Sequence, residues 1–314
     1  MKTAFLFPGQ GSQYVGMGQD LFERFPEARA RFEAADAILG FSITEMMFDT
    51  EGDEAADRLK QTDITQPALY VHSLAAAAVL DAQGLAPAMA AGHSLGEYSA
   101  LAAVGALSFE DGLRAVRLRG ELMASADDAR PGTMAAVLGL DDDAVQAVCR
   151  DVSTNGTLVQ PANFNAPGQV VISGDVEAVN QAMDLARERG ARRVIPLPVG
   201  GAFHSPLMER ACDGLAEALT TLTIHAPRCP VYLNVTAAPT TDPETIRVRL
   251  LDQLTAPVRW AQTLQRMRDD GAARFVEVGA GKVLTGLVRR TLGRDVETTA
   301  AGTGEDLQTL AEAV

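Results

Sequence analysis

The chain is poor in cysteine. Cys149, Cys212 and Cys229 are odd in number and widely spaced along 314 residues, which excludes a disulfide framework and suits a reducing compartment. No His/Cys grouping has metal-ligand spacing, so no metal centre is expected. Long apolar runs are also missing. The stretch Thr3–Phe7 ends at Pro8-Gly9 and is too short for a signal peptide. Leu69–Leu80 is interrupted by His72 and Ser73 and is too short to span a bilayer. The expectation is a cytoplasmic protein with no membrane contact. Positive charge is in deficit, with 27 Lys and Arg against 41 Asp and Glu, for a net charge of −14. That balance excludes nucleic acid as a partner and obliges any anionic partner to find a local basic patch. There is no internal repeat and no low-complexity tract. What is present is a chain with 47% hydrophobic residues, enough for one large core or a core plus a smaller appended domain.

Thr3–Phe7 reads as a buried strand followed by the loop Pro8–Gln13. The spacing of Phe22, Phe25, Ala28 and Phe32 predicts one helix over 21–37, and a second covers 63–83 with Pro67 near its first turn. Ser108 is a good N-cap for a helix running to about Ala124, with Glu110 and Asp111 in its first turn. The polar, breaker-rich segment Ser125–Gly132 reads as a boundary. Beyond it come a strand at 133–140, a helix at 141–152, and strands at 158–162 and 169–173 around a loop Asn163–Gly168. A helix at 176–189 and a strand at 192–199 follow. This βαββαβ order is the ferredoxin-like split unit. The α/β pattern then resumes with a helix at 206–222, a strand at 229–235, helices at 245–254 and 258–270, and a buried strand at 274–278. The chain thus divides into an α/β core, residues 1–130 and 200–314, and an inserted subdomain, 131–199.

The most informative segment is Gly92-His93-Ser94-Leu95-Gly96, placed between an apolar strand and a helix. This is the context of a Gly-x-Ser-x-Gly nucleophile elbow, in which a tight strained turn lifts the serine Oγ clear of the sheet. Such a serine needs a base. His72 lies among Leu and Ala on a helix and reads as core. His93 adjoins Ser94, where side chains diverge, and His225 has nothing catalytic around it. His204 follows a strand end with two glycines and precedes Ser205-Pro206, a helix N-cap and N1 pair. A helix N-terminus there would keep the imidazole neutral, as a base requires. The N–H of Leu95 is one oxyanion donor, and Gln10, between Gly9 and Gly11, is a second unless that loop is only a tight turn. Arg119 has Ala115 and Leu122 as helical neighbours and needs a carboxylate partner, either internal or on a substrate.

These residues belong to a longer resemblance. The motifs are Phe7–Gln13, Thr65-Gln66-Pro67-Ala68, Gly92–Tyr98, Leu118-Arg119-Gly120, Asn163–Val171, Phe203–Met208, and Glu277-Val278-Gly279 with Gly281–Leu284. In this order they resemble the malonyl-CoA:acyl carrier protein transacylase family of bacterial fatty acid synthesis, over essentially the full chain. The resemblance implies an α/β fold with a hydrolase-like core, a mainly parallel sheet and the ferredoxin-like insert. It implies Ser94 as nucleophile, His204 as base, Arg119 as clamp on the malonyl carboxylate, and Gln10 and Leu95 as the oxyanion hole. It further implies that a main-chain carbonyl, placed at Gln253, orients the histidine, and that Gln66, Asn163 and Asn165 line the site. Phe203 stands where related polyketide acyltransferases that prefer malonyl carry Phe, so a ring there would crowd an α-methyl group.

The expected reaction passes malonyl from coenzyme A to Ser94 and then to the phosphopantetheine thiol of acyl carrier protein. The coenzyme A thioester is a substrate, and no metal or redox cofactor is expected. Competing readings are a free-standing polyketide acyltransferase and, on different chemistry, a serine esterase or thioesterase. The latter require an acid after a core strand between Ser94 and His204, and none is found there. The carrier protein is normally acidic, so either Arg187, Arg189, Arg192 and Arg193 or Lys282, Arg289, Arg290 and Arg294 would offset the net charge locally, unless these are only solvated faces. A monomer is expected.

Overall fold

The computed structural model describes residues 2–50, 53–153 and 156–312. Among the described residues ten strands form two sheets. They are β1 (Lys2–Phe7), β2 (Met89–Gly92), β3 (Gly132–Leu138), β4 (Val159–Ala166), β5 (Gln169–Asp175), β6 (Arg193–Pro196), β7 (Val231–Tyr232), β8 (Pro239–Thr240), β9 (Ala272–Val278) and β10 (Glu297–Ala301). The larger sheet has the order β10-β9-β1-β2-β7-β8, parallel from β10 through β7, with β8 turning back antiparallel on β7. Side chains of β1 alternate between two cores, as a doubly covered strand must. Phe5 and Phe7 join Phe32, Val71 and Leu101 on one face; Ala4 and Leu6 join Trp260, Leu264 and Met267 on the other.

The smaller sheet, order β4-β5-β3-β6, is antiparallel throughout. Helices Asp142–Val152 and Val176–Glu188 cover one face through Val145, Val148, Val179 and Met183. Met134, Ala162 and Val171 instead pack into the main core. The lobe is also stitched to the core by backbone. Val258 donates to Ala162 O at 2.8 Å, and Phe164 donates to Val258 O at 2.9 Å.

Several boundaries differ from the sequence reading, each for a local reason. The helix expected over 21–37 is two, Gln19–Arg24 and Pro26–Leu39, because Pro26 forces Phe25 into an extended conformation (φ −125°) and then starts a new helix. The helix from Phe109 continues to Ala129 instead of stopping near Ala124; Arg130, extended before Pro131, ends it. Asn163 and Asn165 lie in β4, not in a loop. Register shifts at Pro161/Asn163 and Phe164/Ala166 let the strand absorb a proline, and Pro167-Gly168 alone make the turn. The strand expected over 229–235 shrinks to two residues, and Val258 pairs with β4 instead of opening a helix, which begins at Trp260. Residues 206–208 form a 3₁₀ turn ahead of the helix Glu209–Thr221. Among the described residues no helix is long and apolar enough to cross a membrane.

Candidate active site

The elbow sits between β2 and the helix Gly96–Ala103. A Cβ on Gly92 would lie 1.8 Å from Gly96 O, and one on Gly96 would lie 2.1 Å from Phe7 O, so neither position admits a side chain. Ser94 between them has φ 53°, a left-handed conformation that costs a non-glycine residue about 1–3 kcal/mol. Asn234, wholly buried, holds this turn shut. Its Oδ1 accepts from Ser94 N–H at 2.7 Å, and its Nδ2 donates to Gly92 O at 2.6 Å. Its own N–H donates to Glu97 Oε2 at 2.7 Å.

His204 is buried at the end of the crossing from the small lobe, also with a left-handed φ of 58°. Its Nε2 is 2.8 Å from Ser94 Oγ, and its Nδ1 is 2.8 Å from Gln253 O. A carbonyl can only accept, so Nδ1 carries the proton and the Nε2 lone pair faces the serine. Burial and the Arg119 charge push the imidazolium down to about 3, against the pull of the Gln253 carbonyl. The imidazole is therefore neutral at pH 7. Burial and Arg119, more than the short 3₁₀ turn that follows, account for that.

Arg119 is 1% exposed and has no carboxylate ion pair among the described residues, so the internal carboxylate partner left open above is not found. Nη1 donates to Gln66 Oε1 at 2.7 Å; Nη2 donates to Gln253 Oε1 at 2.9 Å and to Ser94 Oγ at 3.2 Å. Nε has no hydrogen-bond partner among the described residues. The guanidinium lies 5.8 Å from the centre of the Tyr98 ring. Glu97 influences it through space; its own carboxyl is raised by burial to about 7. A buried fork of donors, resting on neutral amides beside a reactive hydroxyl, can accept a small anion without displacing a native carboxylate.

Leu95 is buried at the head of the helix Gly96–Ala103. Gln10 is half-buried, with Nε2 3.3 Å from Thr62 Oγ1, and its loop abuts the elbow, since a Cβ on Gly9 would lie 2.4 Å from His93 O. Among the described residues no acceptor is found for the N–H of Leu95 or of Gln10, so both are free to donate. Asn165 reaches the elbow indirectly, its Oδ1 2.8 Å from His93 Nε2, while the His93 ring packs edge-on against Trp260. Asn163 is buried in β4 and makes no side-chain hydrogen bond to this group. Phe203 is buried beside His204 in sequence, its ring against Gly201.

The structure thus brings Ser94, His204, Arg119, Gln66 and Gln253 into one hydrogen-bonded cluster, with Gln10 and Leu95 at its edge. Sequence reasoning missed Asn234, the Gln253 side chain, whose Nε2 also donates to Ser94 O at 3.1 Å, and Gln160 on β4. Glu97 was visible as an acid directly after the elbow, on a helix start too apolar to solvate it. The other three carry no local signal.

The comparisons with known proteins agree in direction. A family model described as an acyl transferase domain matches residues 4–307. The malonyl CoA-acyl carrier protein transacylase of Bacillus subtilis (strain 168) is 45% identical over 307 residues, covering 98% of this chain and 95% of that protein. The Staphylococcus aureus (strain MW2) protein of the same name is 42% identical over 308 residues, covering 98% and 97%. Among solved structures, an acyl carrier protein S-malonyltransferase from Vibrio cholerae O1 biovar eltor str. N16961 superposes with a TM-score of 0.93 at 42% identity, over 99% of this chain and 100% of that one. A malonyl-transacylase solved in complex with its type II PKS acyl-carrier protein gives 0.94 at 39% identity, over 100% of both.

Proposed function

The chain belongs to the acyl transferase domain family, and from that premise we propose that it transfers malonyl from malonyl-CoA to the phosphopantetheine thiol of acyl carrier protein, supplying fatty acid elongation. Nε2 of His204 takes the Ser94 hydroxyl proton as Oγ attacks the thioester carbon. The tetrahedral oxyanion is met by the N–H groups of Leu95 and Gln10, each such donor contributing about 10²–10³ in rate. Collapse breaks the C–S bond, and the imidazolium returns its proton to the departing thiolate of coenzyme A. The second half-reaction runs in reverse with the carrier thiol as nucleophile, deprotonated by His204. The chemistry is complete with serine, imidazole and main-chain donors and calls on no metal or redox cofactor. The proposed site needs no residue from a second copy, and the proposed form is a monomer working in the cytoplasm.

The observation that carries the malonyl reading is Arg119, a buried guanidinium on Ser94 Oγ with no carboxylate of its own among the described residues. Intact-mass analysis after mixing with malonyl-CoA tests it. One malonyl group should appear on the wild-type enzyme, be absent from Ser94→Ala, and be discharged by holo-carrier protein. Release as free malonate in the presence of excess carrier would mean a hydrolase. The carrier-bound neighbour gives the polyketide pathway a foothold as the second reading, and relative rates with the two classes of carrier separate them.

Of the two basic clusters, the core's reaches the small lobe through Arg290, close to Arg192. The Gly139 backbone meets Arg192, while Arg290 reaches across to Gln169 Oε1 at 2.9 Å and to Gly168 O at 3.2 Å. Arg192, Arg193, Arg289, Arg290 and Arg294 are exposed and have no ion pair among the described residues. Arg187 and Arg189, by contrast, are paired with Asp184 and Asp151. The combined patch is the docking face proposed for the acidic carrier. Charge reversal at Arg192 and Arg290 should raise KM for carrier protein and leave acylation by malonyl-CoA unchanged.

A further inference from the structure

The small lobe reaches the site through two side chains. Asn165 holds His93, and Gln160 holds the loop that bears the imidazole. Gln160 Nε2 donates to His204 O at 2.8 Å and to Thr255 O at 3.3 Å. His204 carries the ring. Thr255 lies two residues beyond Gln253, whose carbonyl takes the ring's Nδ1–H. One NH₂ group therefore ties the backbone that bears the imidazole to the backbone that aims it. His204 is in the left-handed region, where a residue with a side chain stays only when its surroundings hold it. Ser205 steadies the downstream side, donating to Ala202 O at 2.6 Å and accepting from Leu207 N–H at 3.3 Å. The carbonyl of His204 itself is held by Gln160. The strand that carries Gln160 is bonded to the same core segment at Val258, three residues past Thr255, so the strap and its targets share one frame.

We infer that Gln160 is a positioning residue for the transfer reaction, the strap through which seating of the small lobe sets the approach of His204 Nε2 to Ser94 Oγ. The inference rests on the reading of Ser94 and His204 as nucleophile and base. Two carbonyls converging on one amide make the requirement specific to a donor, which packing alone would not need.

Gln160→Met keeps the length and removes both donors. Gln160→Glu keeps the shape but points oxygen at two carbonyls. Rapid-quench acylation by malonyl-CoA, normalised to burst amplitude so that only competent enzyme counts, should show the maximal rate down about 10- to 100-fold in both variants. Half-saturation should stay within about twofold, the signature of a lost transition-state alignment. The His204 Nδ1 proton resonance should shift or broaden in both. Phosphonylation of Ser94 by a fluorophosphonate, which uses the same base and no malonyl group, should slow in parallel. Rates per active site within about twofold of wild type would overturn the inference, as would weakened half-saturation at an unchanged maximal rate, which would make Gln160 part of the substrate wall. Wild-type enzyme that is phosphonylated but never acylated by malonyl-CoA would refute the malonyl reading and leave Gln160 to be judged on phosphonylation alone.

Discussion

Removing the Arg119 guanidinium should change which acyl group the enzyme prefers. In the free site its two terminal nitrogens rest on the Gln66 and Gln253 amide oxygens and on Ser94 Oγ, and Nε is unused. In the proposed site a malonyl carboxylate arriving there would become half of a buried charge pair. Truncating one half of such a pair costs about 2–5 kcal/mol. At 1.36 kcal/mol per decade, Arg119→Ala should lower kcat/KM for malonyl-CoA by about 30- to 5,000-fold. Acetyl-CoA brings no carboxylate and leaves the wild-type guanidinium unpaired, so the variant should lose less than about tenfold with it, or gain. Arg119→Lys should recover only part of the loss, since one ammonium cannot span both amide oxygens and the substrate. Thermal stability supplies an independent check. Breaking a native buried ion pair would cost about 3–5 kcal/mol, whereas among the described residues Arg119 has no carboxylate pair to break and burial already disfavours the charge. Water entering the vacated space can bond the Gln66 and Gln253 oxygens, so the variant should melt close to wild type. Steady-state kinetics with both thioesters, alongside a melting curve, decide the matter. Equal damage to malonyl and acetyl transfer with a sharply lowered melting point would refute the clamp.

Four further outcomes are expected. Because burial and Arg119 hold His204 near 3, below the ordinary value of 6.5, Nε2 stays unprotonated as pH falls, and kcat/KM for acylation should hold down to about pH 5; an acid limb near 6.5 would contradict this. Between those two values the unfolded chain binds the proton and the folded one does not, so the histidine's contribution to stability is present above 6.5 and lost as pH falls. Glu97 runs the other way: its carboxyl is raised from 4.5 to about 7, so its contribution is full below 4.5 and lost as pH rises through 7. The melting point of Glu97→Gln relative to wild type should then climb from about pH 5 to 8, and a flat difference would show that Glu97 does not titrate there. Phe203→Ser should shift selectivity toward methylmalonyl-CoA by about 5- to 150-fold in relative kcat/KM, or the ring does not border the α-carbon. Gly96→Ala, with its Cβ 2.1 Å from Phe7 O, should yield no protein whose Ser94 reacts with a fluorophosphonate, and normal labelling would mean that the elbow can open.

Those features that depend on a few adjacent residues could be read from the sequence. The elbow was legible because its two glycines and serine are contiguous and their steric reason is local. His204 was legible because Pro206 and the preceding glycines mark a strand-to-turn junction. The βαββαβ order was legible because its helices have clean apolar stripes. Asn163–Gly168 misled, since Asn, Pro and Gly read as loop while bulges let a strand accept them. Asn234 and Gln160 stayed hidden for another reason. Each acts across the fold, on Ser94 from 140 positions away and on His204 from 44. A polar side chain whose partners are main-chain groups elsewhere in the molecule leaves no trace in its own neighbourhood. The neutrality of His204 was expected from a helix terminus and arises mainly from burial, which depends on the completed packing.

The backbone seam at Val258 limits how this protein can be cut and recombined. By connectivity the small lobe looks detachable, since the chain enters it near Pro131 and leaves it near Val199. Yet β4 uses the peptide groups of Ala162 and Phe164 to bind the core. A lobe expressed alone would carry that edge bare, a template for pairing with other copies and hence for aggregation. A core spliced across the gap would leave the Val258 amide and carbonyl without their partners. Chimeras that exchange small lobes between relatives should therefore carry the segment from Gln253 to Val258 along with the lobe, moving the junction from where the sequence divides to where the hydrogen bonds do.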